Sequence, residues 1–257
     1  MCTVLFIPKG DKYFFASLRD ENPLRPRATA PDFKLMGNTN VLSPTDALAG
    51  GTWLGITETG KVIILLNGAF EKHERKASYA KSRGFIVAEL LASNSPIADW
   101  DLFEMKAVEP FTLVVWCEGD LFELVWDGEI KHSTRLEATQ PYIWSSSTLY
   151  NGDAKAHRKS LFQNWLGIDI PVSALSLLNF FKSHPDVENG FLMNRNEQTK
   201  TLSYSFIELQ LNKSAELHYY DFSGNTCTTK NIVFGKSCKA HFLSNELSES
   251  KQTSFNV

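Results

Sequence analysis

The chain begins with two apolar segments separated by a tight turn. Residues 3–7 and 13–18 are nearly continuous apolar runs, and residues 8–11 (Pro-Lys-Gly-Asp) have the composition of a turn. Two strands joined by so short a connection must pair in an antiparallel manner. Because the apolar residues run on without alternating with polar ones, both faces of this hairpin are expected to be covered. This feature predicts an antiparallel sheet that is buried on both sides.

The remaining strands and helices are predicted to come in batches. Strands are predicted at residues 52–57, 61–66, 111–117, 121–126, 129–133, 201–211, 216–222 and 226–234. Helices are predicted at residues 82–91, capped by Ser82, and at 96–105, 153–166 and 173–184, and helical signals begin near Glu71. Helices grouped between hairpins favour an α+β domain over a doubly wound nucleotide-binding fold. Residues 1–243 are predicted to form one domain, followed by a flexible tail at 244–257.

Charge and composition argue against several functional classes. The 257 residues include 26 basic and 29 acidic side chains, so no positive surplus is available for nucleic acid. No apolar run approaches the roughly 18–20 residues of a membrane-spanning helix. The cysteines, Cys2, Cys117, Cys227 and Cys238, form no C-x-x-C pair, so no metal site and no cofactor are predicted. Four thiols without an export signal favour a cytoplasmic location.

The position of Cys2, directly after Met1, would give this residue two reactive groups. Removal of Met1 would leave Cys2 with an α-amine and a thiol on one residue. The reference pKa is about 7.7–8.0 for the amine and about 8.5 for the thiol, so one residue can supply both base and nucleophile. Arg19 and Asp20, at the end of the second strand, are expected to return to the level of Cys2. There the guanidinium would stabilise a thiolate and the carboxylate would orient the amine, although a charged turn is the alternative.

Several motifs together resemble a known family. They are Met1-Cys2 before an apolar strand, Arg19-Asp20-Glu21 with Arg25-Pro26 behind it, Gly50-Gly51-Thr52-Trp53-Leu54-Gly55, Leu66-Asn67, and Ser82-Arg83-Gly84. In this order they resemble the NRDE family, also known as the transport-and-Golgi-organisation family, over roughly the first ninety residues. The resemblance implies a four-layer αββα sandwich, like that of N-terminal-nucleophile hydrolases, with two antiparallel sheets between helix layers.

The resemblance also implies roles for individual residues. Cys2 would attack a carbonyl, Arg19 would support the thiolate and Asp20 would orient the amine. Asn67 would donate its side-chain amide to the oxyanion, although a residue before Gly68 is also typical of an ordinary turn. The substrate-binding candidates are Glu21, Trp53, Arg83, Ser146 and Lys200. Trp53 could instead pack in the core, and Arg83 could be a solvated residue of a first helical turn.

The chain departs from the family pattern at three places. Leu18 stands where the family name has asparagine. Ser146 is the counterpart of an asparagine, and Lys200 the counterpart of an arginine in a Thr-Arg-Thr segment. A hydroxyl is a poorer donor than an amide, and an ammonium is a point charge rather than a planar fork. These changes imply either an altered substrate or a site that no longer turns over.

The motifs and the composition support two functions. The first is hydrolysis of a linear amide or thioester through an acyl-Cys2 intermediate. The alternative is a non-catalytic carrier for an apolar ligand, of lipid, acyl or haem type, on the same scaffold. The expected partner is a small molecule, with no nucleic acid and no membrane span. His157 and Arg158, adjacent on a predicted helix, are typical of surface or salt-bridge positions rather than a metal site.

Overall fold

A computed structural model describes residues 3–186, 188–195 and 198–234 of the chain. Met1, Cys2 and the predicted tail at 244–257 lie outside the described residues. The strands are β1 Thr3–Lys9, β2 Lys12–Glu21, β3 Thr29–Met36, β4 Thr39–Thr45, β5 Leu54–Thr57, β6 Val62–Asn67, β7 Phe111–Cys117, β8 Asp120–Trp126, β9 Lys131–Leu136, β10 Tyr142–Ser145, β11 Asn194–Arg195, β12 Thr199–Gln210, β13 Ser214–Asp221 and β14 Thr226–Val233. The helices are α1 Arg83–Ala92, α2 Pro96–Leu102, α3 Gly152–Leu166 and α4 Ala174–Lys182.

In the described part of the chain these strands form two antiparallel sheets. One sheet has the order β10-β1-β2-β12-β13-β14, with β11 paired to β12. The other runs β3-β4-β5-β6-β7-β8-β9, in chain order. The predicted hairpin of β1 and β2 is confirmed, and it lies in the interior of the first sheet, where β2 also pairs with β12.

Alternating residues of β1 separate the two principal cores. Val4 and Phe6 pack into the core between the sheets, together with β5, β6, β7 and helix α1. Leu5 and Ile7 pack on the opposite face, against α3 and α4. Because successive strand residues point to opposite faces, a strand between two cores must be apolar throughout. The predicted α+β fold, an αββα sandwich, is confirmed.

The structure differs from the prediction at residues 29–45 and 71–81. The hairpin of β3 and β4 lies in a region where the sequence predicts no strands. β3 is an edge strand that carries Pro31 and is largely exposed, so it lacks an apolar pattern. Helix α1 begins after its predicted cap, Ser82, whose side chain accepts a hydrogen bond from the Gly84 N–H, but residues 71–81 are not helical.

Candidate active site

Arg19 and Asp20 are buried on opposite faces of β2, near its end. Their exposed fractions are 5% and 3%. Arg19 lies on the side of the second sheet, with its guanidinium carbon 4.8 Å from the centre of the Trp53 ring. Asp20 contacts Thr201 and Tyr150 instead. The register between β2 and β12 shifts beside this pair, between Thr201 and Ser203. Such irregularities re-aim side chains next to active sites.

The guanidinium of Arg19 is held by a carboxylate that sequence reasoning missed. Nη2 of Arg19 lies 2.9 Å from Oδ2 of Asp46, which follows β4. Arg25 binds the same carboxylate through Nε at 2.9 Å and Nη2 at 3.0 Å. Burial acts to raise the pKa of Asp46. Hydrogen bonds from Arg25 and the Ala49 N–H, with the charges of both arginines, outweigh this effect and lower it to about 2. Asp46 is therefore ionised and fixes both guanidinium groups.

The carboxylate of Asp20 is held by two hydroxyl groups, one from Thr201 in β12 and one from Tyr150, just before α3. Oγ1 of Thr201 donates to Oδ1 of Asp20 at 2.6 Å, and the Tyr150 hydroxyl donates to Oδ2 at 3.3 Å. Both bonds are buried, so the carboxylate is fixed in orientation. Sequence reasoning selects Lys200 in this segment. Lys200 is exposed, and it is its neighbour Thr201 that contacts Asp20.

Arg158 is buried, so the surface position predicted for it is wrong. Its side chain is completely buried between the rings of Tyr150 and Phe191, 4.0 Å and 4.5 Å from their centres. Nη2 donates to Oγ1 of Thr3 at 2.9 Å. Nε and Nη1 have no hydrogen-bond partner among the described residues. The sequence signal for this burial was weak, since the helix carries few apolar residues around it.

Asn67 and Ser146 join the ends of two strands from different sheets. Asn67 ends β6, and its backbone carbonyl accepts a hydrogen bond from the Ser146 hydroxyl at 2.6 Å. Ser146, which follows β10, also shares a hydrogen bond with Thr148. Gly68 has a positive φ of 81°, and a Cβ there would lie 2.3 Å from the Ser147 hydroxyl. The two loops therefore pack closely, with Asn67 where they meet.

Two clefts adjoin Asn67. The large cleft, with a volume of about 700 Å³, is lined by five predicted site residues, namely Arg19, Glu21, Trp53, Asn67 and Arg83. The small cleft, about 350 Å³, is lined by Asn67 and Ser146 together with mainly apolar side chains. Lys200 lines neither cleft. Asp20 lines neither cleft, and Cys2 lies outside the described residues.

Arg83 enters the large cleft because two glycine motifs touch. The Thr52 N–H donates to the Gly84 carbonyl at 3.3 Å, which joins the loop before β5 to the first turn of α1. Arg83 then reaches Glu109 at 3.0 Å and the Pro110 carbonyl at 3.4 Å. Arg83 is thus a paired residue of the cleft wall rather than a solvated one. Trp53 fulfils both expectations, because it packs in the core between the sheets and also lines the cleft.

The described residues contain neither a metal-binding cluster nor a helix suited to a bilayer. Among them, no group of three or more His, Cys, Asp or Glu side chains is arranged to hold a metal ion. None of the helices in the described ranges has the length and apolar character that crossing a bilayer requires.

Comparisons with known proteins identify a family and a fold. The sequence profile of the family described as Transport and Golgi organisation 2 matches residues 1–167. A variant of conjugated bile acid hydrolase from Clostridium perfringens has a similar structure, with a TM-score of 0.54, 12% identity, and coverage of 94% of this chain and 97% of that one. Penicillin V acylase from Agrobacterium tumefaciens gives a TM-score of 0.53, 11% identity, and coverage of 92% and 87%. The Caenorhabditis elegans ortholog of N-acylethanolamine-hydrolyzing acid amidase gives 0.55, 11%, and coverage of 80% and 92%. No curated protein matches the sequence. At these identities the solved structures establish the fold alone.

Proposed function

This chain belongs to the Transport and Golgi organisation 2 family, and we propose that it hydrolyses a linear amide or thioester, with Cys2 as the nucleophile after removal of Met1. The names of the three solved neighbours describe hydrolases or acylases, and two name substrates with an N-acyl group or a conjugate. Fold likeness alone is a weak guide to chemistry. The proposal therefore depends on the geometry of the site.

One observation carries the proposal: the consecutive residues Arg19 and Asp20 are both buried, on opposite faces of β2, where this strand lies across from the start of β1. Thr3 pairs with Leu18 in the sheet. Cys2 is bonded to Thr3, and Arg19 is bonded to Leu18, and adjacent Cα atoms are only about 3.8 Å apart. The proposal therefore requires that the thiol and amine of Cys2 lie near this fixed guanidinium and this fixed carboxylate. Neither charged residue is needed for a buried hairpin, since burying charge is costly without a role or partner.

The proposed reaction has two steps. The α-amine of Cys2 accepts the thiol proton, and the sulfur attacks the substrate carbonyl carbon. The bond to the leaving nitrogen or sulfur breaks as the ammonium returns its proton to that atom. Water, deprotonated by the same amine, then attacks the acyl carbon. The C–S bond breaks, the sulfur of Cys2 recovers the proton from the ammonium, and a carboxylic acid is released. No metal or redox partner enters either step.

The neighbouring residues have distinct proposed roles. Arg19, oriented by Asp46, would stabilise the thiolate, and Asp20 would accept a hydrogen bond from the α-ammonium. The side-chain amide of Asn67 would stabilise the oxyanion, a contribution of about 2.7–4 kcal/mol for one such donor in other enzymes. Glu21, Trp53 and Arg83 would contact substrate from the large cleft, and Ser146 would position Asn67 through its carbonyl.

The test is acylation of the full-length protein by an electrophilic acyl probe, read by intact and peptide mass. We expect one label per chain, on a Cys2 that has lost Met1. Cys2→Ala should abolish labelling, whereas Cys117→Ala, a half-buried cysteine at the end of β7, should not. Retention of Met1 with an unlabelled Cys2 would overturn the proposal and favour the carrier of an apolar ligand.

A further inference from the structure

The large cleft is strongly cationic in a protein whose formal net charge is −3. Seven of its lining side chains are lysine or arginine, namely Arg19, Arg25, Lys72, Arg75, Lys76, Lys81 and Arg83. Three are carboxylates, namely Glu21, Asp46 and Glu109. The cleft therefore has a formal surplus of four positive charges. A concave surface lined by one sign of charge concentrates ligands of the opposite sign.

The carboxylates of the cleft do not neutralise its cations one for one. Asp46 is shared by Arg19 and Arg25, and Glu109 is shared by Arg83 and His73. Glu21 also pairs with Arg25, at 3.8 Å from its Nε, so the two arginines and two carboxylates of this cluster are formally neutral and the surplus of the cleft lies elsewhere on its wall. These paired guanidinium groups are fixed in place, so they form a rigid base to the cleft.

Lys72, Arg75 and Lys76 form the uncompensated part of the wall. All three are exposed, and none makes an ion pair with a carboxylate in the described part of the chain. Glu71 and Glu74 lie in the same segment but do not line the cleft. Three neighbouring cations without carboxylates repel one another, and an anionic ligand would relieve this repulsion.

Helix α1 adds to the same field. Ser82, Arg83 and Gly84, at its N-terminus, all line the cleft. The N-terminus of a ten-residue helix carries a partial positive charge and backbone N–H groups suited to an anion. The close packing of Gly51 on Gly84 holds this end of the helix against the cleft.

We infer that the large cleft binds a part of the substrate that carries two or more negative charges on oxygen. The class includes phosphoryl groups and clustered carboxylates. This inference rests on the proposed function, because it treats the cleft as one side of the substrate site. Asn67 then marks the reacting bond, with the anionic part on the side of Arg75 and Lys76. The rest of the substrate faces the small cleft, where Leu66, Val125 and Ile143 offer apolar contacts. Its wall also carries Glu123, Lys155 and Lys159.

The test measures binding by calorimetry on full-length Cys2→Ala protein, so turnover plays no part. Inorganic pyrophosphate and citrate are the probes, and they separate phosphoryl from carboxylate recognition. Arg75→Glu and Lys76→Glu should each weaken binding of the preferred probe about fivefold at low salt, with a smaller difference at high salt. Lys9→Glu is the matched control, since Lys9 is an exposed lysine at the far end of β1 from Thr3. The Lys9→Glu variant should bind the preferred probe with the same affinity as the Cys2→Ala protein that carries no further change.

Two results would overturn the inference. One is that neither probe binds the parent protein at low salt. The other is that Lys9→Glu weakens binding as much as Arg75→Glu does, because attraction would then reflect overall charge rather than the cleft. Neither result bears on the acylation of Cys2, so the failure of this inference and that of the proposed function remain distinguishable.

Discussion

The backbones of Gly51 and Gly84 pack so closely that a Cβ on Gly51 would lie 2.7 Å from the carbonyl carbon of Gly84. The two glycines belong to separate motifs, one before β5 and the other in the first turn of α1. Their contact joins the second sheet to the helix that covers it. The contact also fixes the positions of Arg83 and Trp53 in the wall of the large cleft.

We expect Gly51→Ala to destabilise the protein, because the methyl group meets backbone rather than a side chain that can move. Overpacking of this kind costs about 1–3 kcal/mol of unfolding free energy. The control is Gly152→Ala, where a Cβ has no neighbour within 4 Å. That variant should be neutral or slightly more stable. Urea denaturation of both measures the difference, and equal stabilities would contradict the role of the contact.

Asp46 should make stability depend on pH in acid. Its pKa is about 2 in the folded protein, against about 3.9 for an unperturbed aspartate. The ionised carboxylate therefore stabilises the fold above about pH 4, and this contribution disappears as the pH falls to about 2. Near neutral pH, Asp46→Asn should be less stable by about 2 kcal/mol, and its gap to the parent should close across that acid range. Chemical denaturation from pH 7 to pH 2, with exposed Glu129→Gln as control, tests this; a constant gap would be the contrary result.

Thr201 is expected to support catalysis through Asp20. Thr201→Val removes a hydroxyl that donates to the carboxylate and also accepts from the Met193 N–H. Hydrogen bonds to charged groups contribute about 1.5–3 kcal/mol, so kcat/KM should fall about tenfold to a hundredfold. Thr201→Ser should restore most of the activity, and Thr199→Val on the same strand should retain it. Steady-state kinetics with an amide substrate measures all three, and a failure of Thr201→Ser to recover would indicate a packing role instead.

Arg158 should tolerate loss of its charge better than a change in its shape. A buried guanidinium, two of whose nitrogens have no partner among the described residues, is costly to desolvate, so Arg158→Met should stay within about 1 kcal/mol of the parent. Arg158→Lys keeps the charge but loses the planar stacking on Tyr150 and Phe191, and it should be destabilised by about 2 kcal/mol. The adjacent exposed His157→Ala is the control in guanidinium denaturation. The reverse order of the two Arg158 variants would contradict this explanation.

Strong local patterns made most of the sandwich predictable from sequence. The continuous apolar runs in β1 and β2 and the Ser82 cap each specify an element without tertiary information. The β3–β4 hairpin has no such pattern, because an edge strand with a proline and exposed side chains can be polar. Residues 71–81 contain helix-favouring side chains, but the segment is not helical and several of its residues line the large cleft.

The candidate site was predictable only where a motif marked it. Arg19 and Asp20 came from the expected hairpin together with the resemblance, and Asn67 came from the resemblance. Arg19 and Asn67 line the large cleft, whereas Asp20 lines neither cleft. Asp46 and Thr201 could not be found in this way, since each acts through a contact between residues far apart in the chain. Whether Lys200 or Thr201 faces Asp20 depends on the register of β12, because a shift of one residue exchanges the side chains on the two faces of a strand.

The pairing of β2 with β12 has a consequence for how the protein is made. The hairpin of β1 and β2 is complete by Glu21, but its open edge finds its neighbour only when residues 199–210 have left the ribosome. Until then Asp20 lacks the Thr201 hydroxyl, and a nascent chain exposes an unpaired apolar strand. The hydrogen bond that fixes the Asp20 carboxylate through Thr201 therefore forms only after β12, one of the last strands of the described chain, has been synthesised.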